Sequence, residues 1–138
     1  MLVDPQKTPQ IRNFGWQQIN YLRATINWND PGITAGVKFA RLPQNAFITA
    51  VQAHVVTAFN AVTTNPVSIG TTQANANELT TTPIAGQTAG YIAPASALGV
   101  AITNAAAVDL WAKYAPTGGG QSAGQVIVCI AYILDNDL

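Results

Sequence analysis

The sequence predicts an all-β, antiparallel fold, a sandwich or barrel with the jelly roll among the candidates. Seven or eight segments rich in Val, Ile, Thr and aromatic residues are separated by Gly, Pro and Asn turns. No segment sustains the apolar 3.6-residue period of a strong helix. The 138 residues suit one domain, and a domain of this size buries roughly two-thirds of the surface its unfolded chain exposes, so no disulfide or metal staple is required. The expected division is an extended N-terminal arm over residues 1–16 and a single β domain over residues 17–138.

The arm is predicted because residues 1–12 mix Asp, Gln, Lys and Thr without periodicity and include Pro5 and Pro9, followed by the aromatic pair Phe14 and Trp16 around Gly15. Residues 21–28 alternate, with Leu22, Ala24, Ile26 and Trp28 on one face and Tyr21, Arg23, Thr25 and Asn27 on the other, the pattern of a half-buried strand. Asn29-Asp30-Pro31-Gly32 is turn chemistry, since Pro presets its own φ and Gly tolerates the left-handed region. A second strand is expected over residues 37–41, ending at Leu42-Pro43-Gln44-Asn45. Residues 47–60 form the longest apolar stretch; its Phe, Ile, Val and Thr content favours a long strand bent midway, while its Ala and Gln leave a helix as the alternative.

Val67-Ser68-Ile69-Gly70 reads as a short strand after Pro66. Residues 71–90, rich in Thr, Ala, Asn and Gln, are expected to be a surface excursion with one helical turn around residues 75–79. Tyr91-Ile92-Ala93 is a further short strand, and an Ala/Gly stretch over residues 95–101 leads into an alternating strand at residues 108–114. Pro116-Thr117-Gly118-Gly119-Gly120 is a flexible hairpin reversal, and residues 125–134, apolar on both faces, belong in the middle of a sheet or under an interface.

Composition bears on partners. Only 9% of residues are charged against 49% hydrophobic, whereas an ordinary domain carries about 25% charged. Ala, Thr, Asn, Gln and Gly must therefore make up much of the surface, a neutral skin suited to packing against protein. A homodimer or homotrimer, or a docked subunit, is expected; a secreted Thr/Asn-rich monomer is the alternative. The net charge of zero offers nucleic acid no field to follow. The zero is uneven: up to Arg41 the balance is +3 (Lys7, Arg12, Arg23, Lys38 and Arg41 against Asp4 and Asp30), and beyond it −3 (Lys113 against Glu78, Asp109, Asp135 and Asp137). The two halves could pair with each other or meet a complementary partner. No apolar run reaches the ~20 residues of a membrane span, and no basic n-region precedes an apolar opening stretch, so synthesis in a cytoplasm without membrane association is expected.

Catalytic constellations are hard to assemble from this chain. His54 is the sole histidine, and a metal site of the cupin kind needs several converging His and carboxylate ligands, so no metal or cofactor is expected. Cys129, alone in the run Val126-Ile127-Val128-Cys129-Ile130, reads as a small buried hydrophobe. A His54–Cys129 nucleophilic pair lacks an orienting carboxylate. Glu78 and Asp109 could be paired on paper as glycosidase acids, without supporting context. Gly118-Gly119-Gly120 lacks the Lys-Ser/Thr and helix of a phosphate loop. The expectation is a non-enzyme. Trp111 falls on the face opposite Val108, Leu110 and Tyr114, where an indole can pack under a loop, cover a subunit contact or stack on sugar.

The order of a long apolar strand from Ile48-Thr49-Ala50-Val51, then Val67-Ser68-Ile69-Gly70-Thr71-Thr72, a Thr/Ala/Asn loop, Val108-Asp109-Leu110-Trp111-Ala112-Lys113-Tyr114, a glycine reversal and Gly124-Gln125-Val126-Ile127-Val128 resembles the small jelly-roll cement or head-decoration proteins of tailed bacteriophages. The resemblance covers roughly residues 47–134 and rests on element order and composition. It implies a jelly-roll type β-sandwich on the outer capsid surface of a virion, bound to the major capsid protein and stabilising capsomer junctions. Arg12, Phe14, Trp16 and Trp111 are the candidate partner-binding residues. A carbohydrate-binding β-sandwich module and a head- or tail-fibre component contacting the host are the competing readings.

With no ligand cluster to hold a structural metal, melting curves recorded with and without a chelator should coincide; a drop of more than a few degrees would contradict this reading of His54 and the acids.

Overall fold

The computed structural model describes residues 19–80, 83–92 and 106–134. Eight strands run in the order β1 Asn20–Asn27, β2 Val37–Leu42, β3 Ala46–Thr57, β4 Pro66–Gly70, β5 Ile84–Ala85, β6 Gly90–Ile92, β7 Val108–Tyr114 and β8 Gln125–Leu134. They build two four-stranded antiparallel sheets, β1-β8-β3-β6 and β2-β7-β4-β5. Every successive pair except β4–β5 crosses from one sheet to the other. Eight strands interleaved this way in two sheets make an antiparallel β-sandwich of jelly-roll type. Among the described residues there is no helix.

The predicted strands are present within one or two residues at their ends, except that the long apolar stretch, a strand rather than a helix, stops at Thr57, three residues before the expected end at Asn60. Its periodicity is ambiguous for a physical reason. Thr49 is an extra residue on β3, where the register steps from Ile48↔Tyr132 to Ala50↔Ala131, and its hydroxyl donates to the Ala131 carbonyl at 3.2 Å. The bulge resets the alternation, so Ala46 and Ile48 face inward before it and Val51, Ala53 and Val55 after it. A second irregularity lies between Val55 and Thr57.

The inner faces meet in one core. Ile26, Val51, Val55, Val126, Val128 and Ile130 from the first sheet pack with Leu42, Val67, Ile69, Ile84, Leu110 and Tyr114 from the second. β8 lies between β1 and β3, the central position its two apolar faces imply. Trp28 packs partly buried against this core.

One end of the sandwich is closed by a plug around Phe59. Its ring lies 4.7 Å from that of Tyr114, and its N–H donates to Gly86 O at 2.8 Å. A Cβ at Gly124, where φ is 149°, would run into the Phe59 ring, so glycine is required there by both space and backbone conformation. Asn65, 4% exposed, ties the plug together: its Oδ1 accepts from Ala61 N–H at 2.8 Å and from Tyr114 Oη at 2.7 Å, and its Nδ2 donates to Ala61 O at 3.0 Å. Burial pushes the Tyr114 phenol above its usual range, which keeps the hydroxyl a donor.

Three expectations need correction. The segment 117–120 is not a hairpin, because β7 and β8 belong to different sheets; it is a corner between them. Its glycines hold φ values of 88°, 67° and 74°, and it is bonded to the loop after β3 through Val62 N–H to Gly119 O at 3.2 Å and Thr63 N–H to Thr117 O at 3.1 Å. The expected helical turn around residues 75–79 is instead an irregular loop whose Ala76, Leu79 and Thr80 are buried, and the excursion also contains β5. Cys129 is half-buried on the outer face of its sheet rather than enclosed in the core. The predicted arm and the Ala/Gly stretch at 95–101 lie outside the described residues.

Asn65→Ala should destabilise the fold by about 2–4 kcal/mol, because it strands the Ala61 amide and the Tyr114 hydroxyl together, whereas Tyr114→Phe should cost only about 1 kcal/mol. Urea unfolding of the two variants checks the ranking.

Candidate partner-binding surfaces

The outer face of the β2-β7-β4-β5 sheet carries most of the described charge. Register places Lys38 across from Trp111, Arg41 across from Asp109, and Ser68 across from Lys113. The bulge at Phe39 lets both Lys38 and Arg41 point outward. Asp109 Oδ1 sits 3.5 Å from Lys38 Nζ and 3.8 Å from Arg41 Nε, and it has no hydrogen bond of its own. Part of the uneven charge in the sequence is thus paired inside one chain. Trp111 is half-buried, flanked by Lys38 on one side and Gly70 on the other.

The loop at 71–80 folds over the Gly70 end of this face. A Cβ at Gly70 would collide with the Glu78 carboxylate and the Asn77 amide, so glycine lets the loop lie flat on the strand. Glu78 organises the loop by accepting from Thr71 N–H at 2.9 Å, Thr72 Oγ1 at 2.7 Å and Asn77 N–H at 3.3 Å. Burial by itself would raise this carboxyl's pKa, but the hydrogen bonds from Thr72, Thr71 and Asn77 outweigh it and hold the group below its ordinary 4.5. Lys113 Nζ donates to Ala74 O at 2.9 Å and Gln73 Nε2 to Gly36 O at 3.1 Å, pinning the loop to β7 and to the residue just before β2. The loop ends in a buried anchor, where Thr80 Oγ1 accepts from Ile69 N–H at 3.0 Å. Glu78 and Asp109 therefore serve the loop and the ion pairs.

The outer face of the β1-β8-β3-β6 sheet is different in kind. Register sets Thr25, Ile127, His54 and Tyr91 in one row across all four strands, and Arg23, Cys129 and Gln52 in the next. Tyr21 is 65% exposed and Tyr91 62%. His54 is exposed here, one residue pair along from Cys129, with no carboxylate in either row. Sequence alternation placed Tyr21, Arg23 and Thr25 on an outer face, but the outward placement of Ile127 and Cys129 and the neighbours across the sheet could be known only from the register.

Among the described residues no group of three or more His, Cys, Asp or Glu could hold a metal ion, and no helix is long and apolar enough to cross a membrane. A recess of about 270 Å³ lies between Thr64, Asn65, Pro66, Pro83, Ile84, Ala85 and Gln87; its lining contains no acid, base or nucleophilic thiol. Of the four predicted partner-binding residues, Trp111 stands on an outer face as expected, while Arg12, Phe14 and Trp16 lie outside the described residues.

No known family's sequence profile matches the chain, and no curated protein sequence does. Solved structures do match its fold. A chain of the cyanophage Pam1 capsid asymmetric unit superposes with a TM-score of 0.66 at 16% identity, covering 96% of this chain and 98% of that one. A chain of the acid-stable capsid of Helicobacter pylori bacteriophage KHP30 gives 0.62 at 16% identity over 84% and 87% of the two chains. One from the capsid of Ralstonia phage GP4 gives 0.59 at 18% identity over 96% and 94%. The chain thus shares its β-sandwich fold, over most of its length, with chains of three phage capsid structures.

The Glu78 pKa lies lower in the folded than in the unfolded chain, so its stabilisation is present above about pH 4.5 and is lost as pH falls through the depressed value. Glu78→Gln should flatten this part of the acid limb of the stability curve and cost about 1 kcal/mol at pH 7, a modest figure because the carboxylate is exposed. Thermal melts from pH 2 to 7 measure both effects.

Proposed function

We propose that this protein is a structural component of a bacteriophage virion, a decoration or cement protein that binds the outer surface of the head and holds neighbouring capsomers together. The observation that carries this reading is the jelly-roll fold shared over most of its length with chains of three phage capsid structures. The physics of the surface supports it. A shell protein must resist outward pressure through many modest contacts rather than one strong site, and effective concentration multiplies such contacts once several are made together. A sparsely charged chain with aromatic side chains on its outer faces suits that role. The partners are the major capsid protein and other copies of this chain, as a homodimer or homotrimer, with no nucleic acid, membrane, cofactor or catalytic step involved. Neither described indole lies open for sugar stacking: Trp28 packs on the core and Trp111 is half-buried.

Arg12, Phe14, Trp16 and Trp111 are proposed to make the contacts with the shell, since Trp and Arg are the side chains most often found as interface hot spots. Purified protein added to heads that lack it should co-sediment saturably. Trp16→Ala should weaken binding by roughly tenfold or more if the indole is a buried anchor. A chain starting at Gln17 should keep its β-type circular dichroism and lose most of its affinity. Absence of any binding by the full chain would overturn the cement reading, and full binding by the shortened chain would move the contact to the Trp111 face.

A further inference from the structure

We propose that the outer face of the β1-β8-β3-β6 sheet is the contact through which two copies of this chain pair about a two-fold axis, an inference that rests on the homo-oligomeric cement reading and assigns its self-contact. Five of the six large apolar side chains left exposed among the described residues belong to this sheet or directly precede its first strand: Ile19, Tyr21, Phe47, Val56 and Tyr91, at 55, 65, 37, 43 and 62%. Ile127 and Cys129 lie between them on β8, so the exposed residues flank a continuous apolar strip rather than standing as isolated points. Large contiguous apolar patches on a folded surface mark contacts.

The occupant follows from charge and size. The titratable groups on this face are Arg23, His54, the Tyr21 and Tyr91 phenols and the Cys129 thiol; no carboxylate stands in either row. A face carrying several like charges cannot meet its own copy, whereas this one carries a single fixed charge, on the edge strand β1. A two-fold axis along the seam between β8 and β3 lays β1 of one copy over β6 of the other. The two Arg23 side chains then fall at opposite edges of the contact, each within reach of an exposed Tyr91 ring of the second copy. At ~3.4 Å per residue and ~4.8 Å between strands, the four strands present roughly 500 Å² of flat sheet. Side-chain relief brings this towards the ~800 Å² per partner of a standard interface. Residues 1–18 of the same chain are a poorer cover, since Leu2, Val3, Ile11, Phe14 and Trp16 are scattered there among Asp4, Lys7, Arg12 and two prolines. The opposite sheet's outer face, with Lys38, Arg41, Lys113 and Asp109, is the more polar and is left for other contacts.

Gln52 is exposed beside Cys129 near the proposed axis, where a charge leaves the fold intact but meets its own copy across the contact. Sedimentation velocity of the full-length protein should show a dimer at micromolar concentration. Gln52→Glu and Gln52→Lys, each folded by circular dichroism, should dimerise at least tenfold more weakly, and an equimolar mixture of the two should recover the dimer. The rate at which a maleimide labels Cys129 should fall as wild-type concentration rises, and should stay high in either variant alone. A wild-type monomer, a trimer, variants that dimerise like wild type, or a Cys129 protected equally at all concentrations would each overturn the proposal. Binding to undecorated heads is scored separately: a monomer that binds them refutes this face alone, and a dimer that ignores them refutes the cement reading alone.

Discussion

The ladder between β3 and β8 is the constraint on which the rest of the molecule depends. It joins the two longest strands, residues 46–57 and 125–134, and forms the middle of the first sheet. Both strands bury alternate side chains against the second sheet, so the core exists only while this pairing keeps its register. The chain between them has to be laid out on the far side of the core. β4, β5 and β7 supply that second layer, and β6 returns to the first sheet beside β3.

The plug around Phe59 solves the problem this arrangement creates at one end. A sandwich is open where its strands turn, and the corners that link the sheets must bury backbone groups without the help of a ladder. Asn65 does so with one side-chain amide serving three partners, and Gly86 and Gly124 allow two backbones to approach the Phe59 ring. The Asn60 side chain repeats the device nearer solvent, its Oδ1 accepting from the Ser122 and Ala123 amides at 2.8 and 3.0 Å. Loops that look like filler in the sequence are therefore fastened to each other across the sheet boundary.

Strands and their buried faces were legible wherever period-two alternation ran unbroken, as in residues 21–28 and 108–114, because an antiparallel strand with one face on a core writes that pattern directly. It failed at Thr49, since a bulge changes parity in a way that composition does not reveal. The glycine run was legible as a turn but not as a sheet-to-sheet corner, because a reversal's residues do not say which strand it leads to. The two-residue β5 is too short to carry a pattern. As for the candidate surfaces, Trp111 was placed outward by alternation alone. The neutral face around Ile127 and Cys129 was hidden, since its residues come from four separate segments, and an apolar β8 reads the same whether its second face meets solvent, a partner or another layer.

The place of β8 between β1 and β3 also sets a timetable for synthesis. β1 and β3 are translated well before β8, yet they share no pairing with each other, and among the described strands β8 is their only common neighbour. Until then β1 has no ladder and β3 has only the three-residue β6 beside it. Topologies dominated by such distant pairings fold slowly, and their intermediates expose unpaired edges. The nascent chain therefore cannot present the finished outer face of the β1-β8-β3-β6 sheet before β8 is made, whereas the strands of the second sheet are complete at Tyr114.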